Sequence, residues 1–284
     1  DNGGAPAYTG GNSILDRLDY ANDTTTASAR GSGIFSPIGH GYGTTGNSTH
    51  GYFGGGYHGT LGTLSSIRRI DYANDTAALA SAGPLSGSAR YKGATGNANY
   101  GYYNTGAAGS GSNGSGIDRL DYSSDTSTAT PKGPLSNSTT TNTAATGDTS
   151  YGYFGGRSSG YPLNNWYSTV DRIDYSNDTA TASTKGPLSS NNIYKVASSS
   201  RANAIPLKGP GNLEVPVSLG AFSRNFGPQG TDFGYFGGGQ PGTVSTVDRI
   251  DYSNDTATAA AKGPLSLARK YLSAASAAAN ALPQ

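Results

Sequence analysis

Hydrophobic and polar residues alternate along this chain only in short runs, and one such run returns throughout its length. In Thr246-Val-Asp-Arg-Ile-Asp-Tyr252, Asp248, Ile250 and Tyr252 fall on one side and Val247, Arg249 and Asp251 on the other. That period of two predicts a β-strand. The following Ser-Asn-Asp predicts a turn, because Asn and Asp side chains bond their own backbone. Thr256-Ala-Thr258 opens a second strand, which Gly-Pro ends. Upstream, Gly-Tyr-Phe-Gly-Gly reads as a short strand whose glycines permit a bulge or a close backbone approach. A fourth strand is expected between one Gly-Pro and the next aromatic phrase, around Ala89 to Asn99.

The same sentence occurs five times. Its copies run Asp16-Arg-Leu-Asp-Tyr20, Arg68-Arg-Ile-Asp-Tyr72, Asp118-Arg-Leu-Asp-Tyr122, Asp171-Arg-Ile-Asp-Tyr175 and Asp248-Arg-Ile-Asp-Tyr252. The Asp before Tyr (Asp19, Asp71, Asp121, Asp174, Asp251) serves as a ruler, with spacings of 52, 50, 53 and 77 residues. Paired glycines precede the motif at Tyr8-Thr-Gly-Gly11, Tyr52-Phe-Gly-Gly55, Tyr153-Phe-Gly-Gly156 and Tyr235-Phe-Gly-Gly238, and in weaker form at Tyr102-Tyr-Asn-Thr-Gly106. A Gly-Pro-Leu-Ser terminator ends the last four copies, its Ser86, Ser136, Ser189 and Ser266 each 15 residues after the ruler. That stretch admits no insertion and must be a fixed structural unit. Variation is confined to the segment between glycine pair and ruler, as in a surface loop, and to an insertion at residues 202–232 before the last copy.

Four short strands in about 50 residues describe one propeller blade. The aromatic and Gly-Gly pair, the variable loop, the hydrophobic-x-Arg-hydrophobic-Asp run and the polar turn resemble the kelch repeat of β-propellers. The kelch tryptophan after the turn is absent; Thr26, Leu79, Thr128, Thr181 and Thr258 lie in that neighbourhood. The wording Tyr-Phe-Gly-Gly-Gly, Asp-Arg-Ile-Asp-Tyr-Ser-Asn-Asp-Thr and Lys-Gly-Pro-Leu-Ser is also similar to tandem repeats in proteins of marine and freshwater viruses, notably cyanophages. The resemblance implies an all-β, kelch-like propeller: residues 1–284 as a single domain of five blades, or six if the insertion forms a blade of its own. Because the chain begins and ends in mid-repeat, the segment Leu267-Ala-Arg-Lys-Tyr-Leu272 is expected to complete the first blade and close the ring.

Composition refines this picture. Leu, Ile, Val and Phe supply only 40 of 284 residues, which would suggest disorder, but the net charge of +1 and 28 aromatic residues argue for a folded chain with a thin core. No apolar run reaches the roughly 18 residues a membrane span needs, and the balanced charge lacks the basic footprint of a nucleic-acid binder. Absence of Cys removes disulfides, thiolate metal sites and a cysteine nucleophile. Without Met, Asp1 is read as a processed or internal terminus.

Several groups invite a chemical reading. The Asp-Arg-x-Asp runs could ring a calcium ion, but they recur whatever loop accompanies them. Arg17, Arg69, Arg119, Arg172 and Arg249 are therefore expected to act with the ruler Asp residues, tying adjacent strands or blades by charge-assisted hydrogen bonds. Asn-Asp-Thr in four copies matches a glycosylation acceptor, yet Ser124 stands there in the third copy, which favours a turn as the shared role. His40, His50 and His58 cluster in sequence, but glycine-rich loops hold metal ligands poorly. No Gly-x-Ser-x-Gly elbow occurs, and Glu214 is the single Glu. No enzymatic activity, metal or cofactor is expected. Tyr57, Tyr161, Trp166 and Tyr167 sit in variable loops among Gly, Ser and Asn, a composition suited to adaptable contacts and to stacking on sugars. The resulting expectation is a structural or interaction propeller on a virion surface or other extracellular assembly. Its partners would be virion proteins, a second copy of itself or host-surface glycans; a secreted lectin-like module is the alternative.

Overall fold

The computed structural model describes residues 14–17, 26–32, 39–108, 112–137, 142–159, 165–191, 196–199, 233–239 and 242–269. In the first repeat, β1 (Ile14–Arg17) pairs with β2 (Ser28–Ser32). There follow β3 (Gly39–His40), β4 (Gly43–Gly46), β5 (His50–Gly54), β6 (Tyr57–His58), β7 (Gly62–Thr63), β8 (Ile67–Asp71) and β9 (Ala80–Ala82). The third repeat supplies β10 (Ala94–Gly96), β11 (Tyr100–Asn104), β12 (Ala107–Ala108), β13 (Ser112–Asn113), β14 (Ile117–Asp121) and β15 (Thr130–Lys132). The fourth supplies β16 (Ala144–Gly147), β17 (Tyr151–Ser159), β18 (Asn165–Asp174) and β19 (Ser183–Lys185), and the fifth β20 (Val196–Ser199), β21 (Phe233–Gly237), β22 (Val247–Asp251) and β23 (Ala260–Lys262).

The sheets β4-β5-β8-β9, β10-β11-β14-β15, β16-β17-β18-β19 and β20-β21-β22-β23 are antiparallel meanders. Their first strands lie against one another, which places β4, β10, β16 and β20 innermost in a β-propeller. Register is identical in all four, with Tyr52 opposite Arg69, Tyr102 opposite Arg119, Tyr153 opposite Arg172 and Tyr235 opposite Arg249. Among the described residues, then, four blades are complete and the first repeat contributes two strands, where five full blades were expected.

The hydrophobic core lies between blades. Tyr52, Ile67 and Leu85 of one repeat pack on Tyr103, Leu120 and Ala129 of the next. Tyr102, Ile117 and Leu135 meet Phe154, Ile173 and Ala182, and Tyr153, Val170 and Leu188 meet Phe236, Ile250 and Ala259 in the same way. A chain poor in aliphatic residues thus builds one small cluster three times over, and stability becomes a sum over neighbouring interfaces. The fixed distance from ruler to terminator now has a cause. Gly83, Gly133 and Gly186 of the terminators each donate an N–H to the backbone of the next repeat's turn, at Asp125, Asp178 and Asp255. A methyl group at any of them would strike a backbone carbonyl of that turn, at Ser127, Ala180 and Ala257 respectively.

The meanders give the propeller two unlike rims. On one, the β4–β5, β10–β11 and β16–β17 turns accept from the residue after each ruler Asp: Tyr72 N–H to Thr49 O, Tyr122 to Asn99 and Tyr175 to Ser150, at 2.9–3.0 Å. The other rim carries the variable loops and the connections from one blade to the next inner strand. The insertion at 202–232 lies outside the described residues, but β20 and β21, which flank it, pair as a hairpin. In chain order it therefore connects two paired strands of one sheet. Asp19, Tyr161, the head before Ile14 and the tail after Arg269 also lie outside the described residues.

Candidate functional site

The repeated charges pair differently from the sequence expectation. Arg69 donates to Asp125 at 2.6 Å, Arg119 to Asp178 at 2.7 Å and Arg172 to Asp255 at 2.6 Å, each reaching across to the following repeat. Tyr52, Tyr102 and Tyr153 hydroxyls donate to the same three carboxylates at 2.7–3.0 Å. Lys132 and Lys185 complete the last two clamps at 3.1 and 3.3 Å. Arg17 meets Asp75 at 2.8 Å, with Arg30 at 3.5 Å. Burial first, and then the adjacent Asp, hold the Tyr52 hydroxyl well above its ordinary range, so it is a neutral donor. Tyr102 and Tyr153 are held likewise.

The ruler residues do something else. Asp71, Asp121, Asp174 and Asp251 cap their own 3-10 turns, accepting the N–H two residues on. Hydroxyls of Ser123, Ser176 and Ser253 hold Asp121, Asp174 and Asp251 below the usual carboxylate range. The correction has a simple reason: a strand pleat puts Arg and the ruler Asp on one face, but the ruler ends the strand and bends into the turn. The true partner stands four residues after the ruler, at Asp75, Asp125, Asp178 and Asp255, and is kept even where Ser124 replaces Asn. The first Asp of the motif has its own task. Asp118 accepts from Ser86 N–H and hydroxyl at 3.1 and 2.6 Å, and Asp171 from Ser136 at 3.0 and 2.7 Å. In the fifth repeat Arg249 lies 4.1 Å over the Phe233 ring and has no carboxylate partner among the described residues.

The variable rim gathers the remaining candidates. Around its centre Gly41, Tyr91 and Asn142 occupy equivalent places, all in the left-handed region at φ of 74°, 59° and 59°. They join head to tail, Tyr91 N–H to Gly41 O at 2.8 Å and Asn142 N–H to Tyr91 O at 3.1 Å. Beside them Lys92 is buried and donates to the carbonyls of Asn104 and Thr105 at 2.9 and 3.1 Å; burial pulls its ammonium down to about 8. Tyr57 receives the guanidinium of Arg90 at 4.9 Å. His58 accepts two backbone N–H groups at 3.1 Å, while His50 meets the Thr49 hydroxyl at 2.8 Å on the opposite rim, so these two histidines serve separate turns. Among the described residues no three His, Cys, Asp or Glu side chains are grouped to hold a metal.

Trp166 and Tyr167 stand on the hairpin of the fourth repeat. β17 and β18 run 9 and 10 residues, where the matching strands of the other complete blades run 5. Trp166 lies across from Ser158, and Tyr167 across from Arg157. The Asn142 amide donates to the Ser158 hydroxyl at 3.0 Å, fastening the hairpin to the centre of the rim. Arg157 was not foreseen. Its guanidinium sits 4.9 Å from the Tyr167 ring and only 8% of the residue is exposed. It donates to the Thr169 hydroxyl at 3.5 Å, and among the described residues its Nε and Nη1 meet no acceptor. A signal for it exists: the residue after the glycine pair is Gly56 and Gly239 in two repeats but Arg157 in the fourth. Trp166, Tyr167 and the Arg157 guanidinium thus share one ribbon, with Tyr167 and Arg157 opposite each other on its two strands.

No family model matches the chain, and no curated protein sequence matches it. In shape it is similar to the solved structure of YjhT, a kelch-repeat propeller protein, with a TM-score of 0.63 over 93% of this chain and 81% of that one. Identity is 9%, so the likeness speaks for the propeller fold alone.

Proposed function

We propose that this chain is a non-enzymatic binding propeller of five blades, carried on a virus particle or a comparable extracellular assembly, whose variable rim holds surface glycans. The observation that carries this reading is the long hairpin of the fourth repeat. The clamp residues and the capped turns are repeated nearly verbatim, whereas the variable rim differs from copy to copy and extends a ribbon bearing Trp166 and Tyr167. Aromatic rings beside small polar residues suit sugars, whose apolar faces stack while their hydroxyls are bonded. Several copies on one particle would raise avidity without stronger single contacts. The particle setting is supported by the repeat wording shared with aquatic viruses.

Closure of the ring belongs to the same reading. Arg249 and Lys262 repeat the clamp donors of earlier blades, while Gly263 is exposed where Gly83, Gly133 and Gly186 are buried. The first repeat carries the matching Asp23, which lies outside the described residues. Charge exchange tests it: Arg249→Asp should lower the thermal midpoint, and adding Asp23→Arg should restore it in a monomeric protein. For the function itself, a glycan panel is compared between the wild type and Trp166→Ala, and purified particles are searched for the chain by mass spectrometry. Sugar binding that depends on Trp166 and stoichiometric presence in particles are expected. No sugar bound by the wild type removes the glycan reading, and glycan binding by a chain absent from particles points to a free lectin-like module.

A further inference from the structure

We infer that the variable rim takes an acidic polysaccharide, with an anionic group of the polymer seated at Arg90; this rests on the glycan reading above and adds the charge of the ligand to it. The net charge of +1 conceals a sharp division. Among the described residues, the variable loops and the connections to the inner strands hold Arg90, Lys92, Arg157 and Arg269 and no Asp or Glu. The sequence of the same segments beyond the described residues adds no acid either. Asp118 and Asp171 reach the terminators from the strands beneath, but both are buried and tied to Ser86 and Ser136. The surface of this rim is therefore cationic, and a surface of one sign draws and orients a ligand of the other.

Of the four cations, Arg90 combines access with a fixed place. Lys92 and Arg157 are closed in, at 6% and 8% exposure, and Lys92 already serves two carbonyls. Arg90 is partly exposed, with its guanidinium carbon 4.9 Å from the centre of the Tyr57 ring and 5.1 Å from that of Tyr91. The two rings hold the cation in position, and no carboxylate lies within ion-pairing distance of it among the described residues. Of its nitrogens, Nε alone is closed off without an acceptor. The terminal pair keeps the fork that a carboxylate or sulfate fits. Tyr91 occupies its place at φ of 59°, unusual for a bulky side chain. Its carbonyl accepts from Asn142, whose amide in turn reaches Ser158 of the long hairpin. Arg90 and the hairpin thus belong to one continuous surface, which suits a polymer better than a single sugar.

The test compares polygalacturonate, its methyl ester, dextran sulfate and dextran as probes, so that each acid is set against a neutral polymer of the same backbone. The wild type is expected to hold at least one acid about tenfold more tightly than its neutral counterpart at low salt, with the advantage shrinking as salt is added. Which acid is favoured tells carboxylate from sulfate. Arg90→Gln should lose most of the advantage, and Arg90→Lys, which keeps the charge but not the fork, should recover part of it. Arg68→Gln removes the same charge from strand β8, where the side chain bonds Ser81, and should leave the advantage intact. Equal binding of acid and neutral polymers, an equal loss in Arg90→Gln and Arg68→Gln, or no recovery in an Arg90→Lys protein with the wild-type thermal midpoint overturns the inference; neutral polymers that still bind leave the glycan reading standing. No polymer bound overturns both. Duplex DNA held as tightly as the acids would overturn the assignment to a polysaccharide.

Discussion

The two rims of this propeller are built from the same chain under opposite constraints. On the constant rim, the four described ruler Asp residues cap 3-10 turns, and Tyr72, Tyr122 and Tyr175 bond the inner turn beside them. Beside each turn, an aspartate takes the clamp of the preceding repeat. One substitution there unseats two blades. The variable rim is joined to the blades through strand ends, and its loops range from the small β3-β6-β7 sheet to the long β17–β18 hairpin without disturbing the clusters beneath. Loop length and composition vary on one rim; cohesion accumulates on the other.

The contrast is broken most forcefully at a clamp. Asp178→Ala strands Arg119, Lys132 and the Tyr102 hydroxyl together and is expected to cost about 3 kcal/mol in urea unfolding. Asp174→Ala, which removes only a turn cap, should cost about 1 kcal/mol. Next comes the glycine seat: Gly133→Ala pushes a methyl into the Ala180 carbonyl and should cost about 2 kcal/mol by the same measure. Gly263→Ala, with nothing within 4 Å of the added carbon, should be within about 0.5 kcal/mol of the wild type. Tyr175→Phe keeps the stacking on Tyr102 at 4.8 Å and loses the hydroxyl contact with Thr95 at 3.0 Å. About 1 kcal/mol is expected.

Acid sharpens the comparison further. Asp121, Asp174 and Asp251 have folded pKa values below their unfolded ones, so they contribute stability above the ordinary Asp range and lose it as pH falls through the lowered values. Replacing Ser123, Ser176 and Ser253 by Ala should move acid unfolding to higher pH, seen by circular dichroism. The smallest effect is a gain. The second repeat has Ala82 where the third and fourth have Lys132 and Lys185, and Ala82→Lys should add the third clamp member to Asp125, worth at most about 1 kcal/mol in thermal unfolding.

Much of the fold was legible because the repeat says the same thing five times. The alternation in Val-Asp-Arg-Ile-Asp fixed strand and faces, and the constant count to Gly-Pro-Leu-Ser announced a rigid unit. Two things were not legible. Alternation tells which face of a sheet a side chain occupies but not which residue lies opposite, so a tie between blades was expected of Arg119, while its acceptor, Asp178 in the turn of the next repeat and not a ruler Asp, was not foreseen. Arg157 escaped because its burial and its place against the Tyr167 ring become visible only once the ribbon is folded. Trp166 and Tyr167 stood out as bulky rings among small residues, but the loop expected there is strand β18 of the long hairpin.

The clamps all point the same way round. Among the described residues, the first four repeats each offer an arginine forward, three of them a tyrosine as well, and the second to fifth each present an aspartate backward. Every internal unit is therefore both a lock and a key of the same cut. Duplicating or deleting one whole unit at the level of the gene leaves each lock facing a matching key, so the number of blades can change in single steps while the loops of the far rim are remodelled independently.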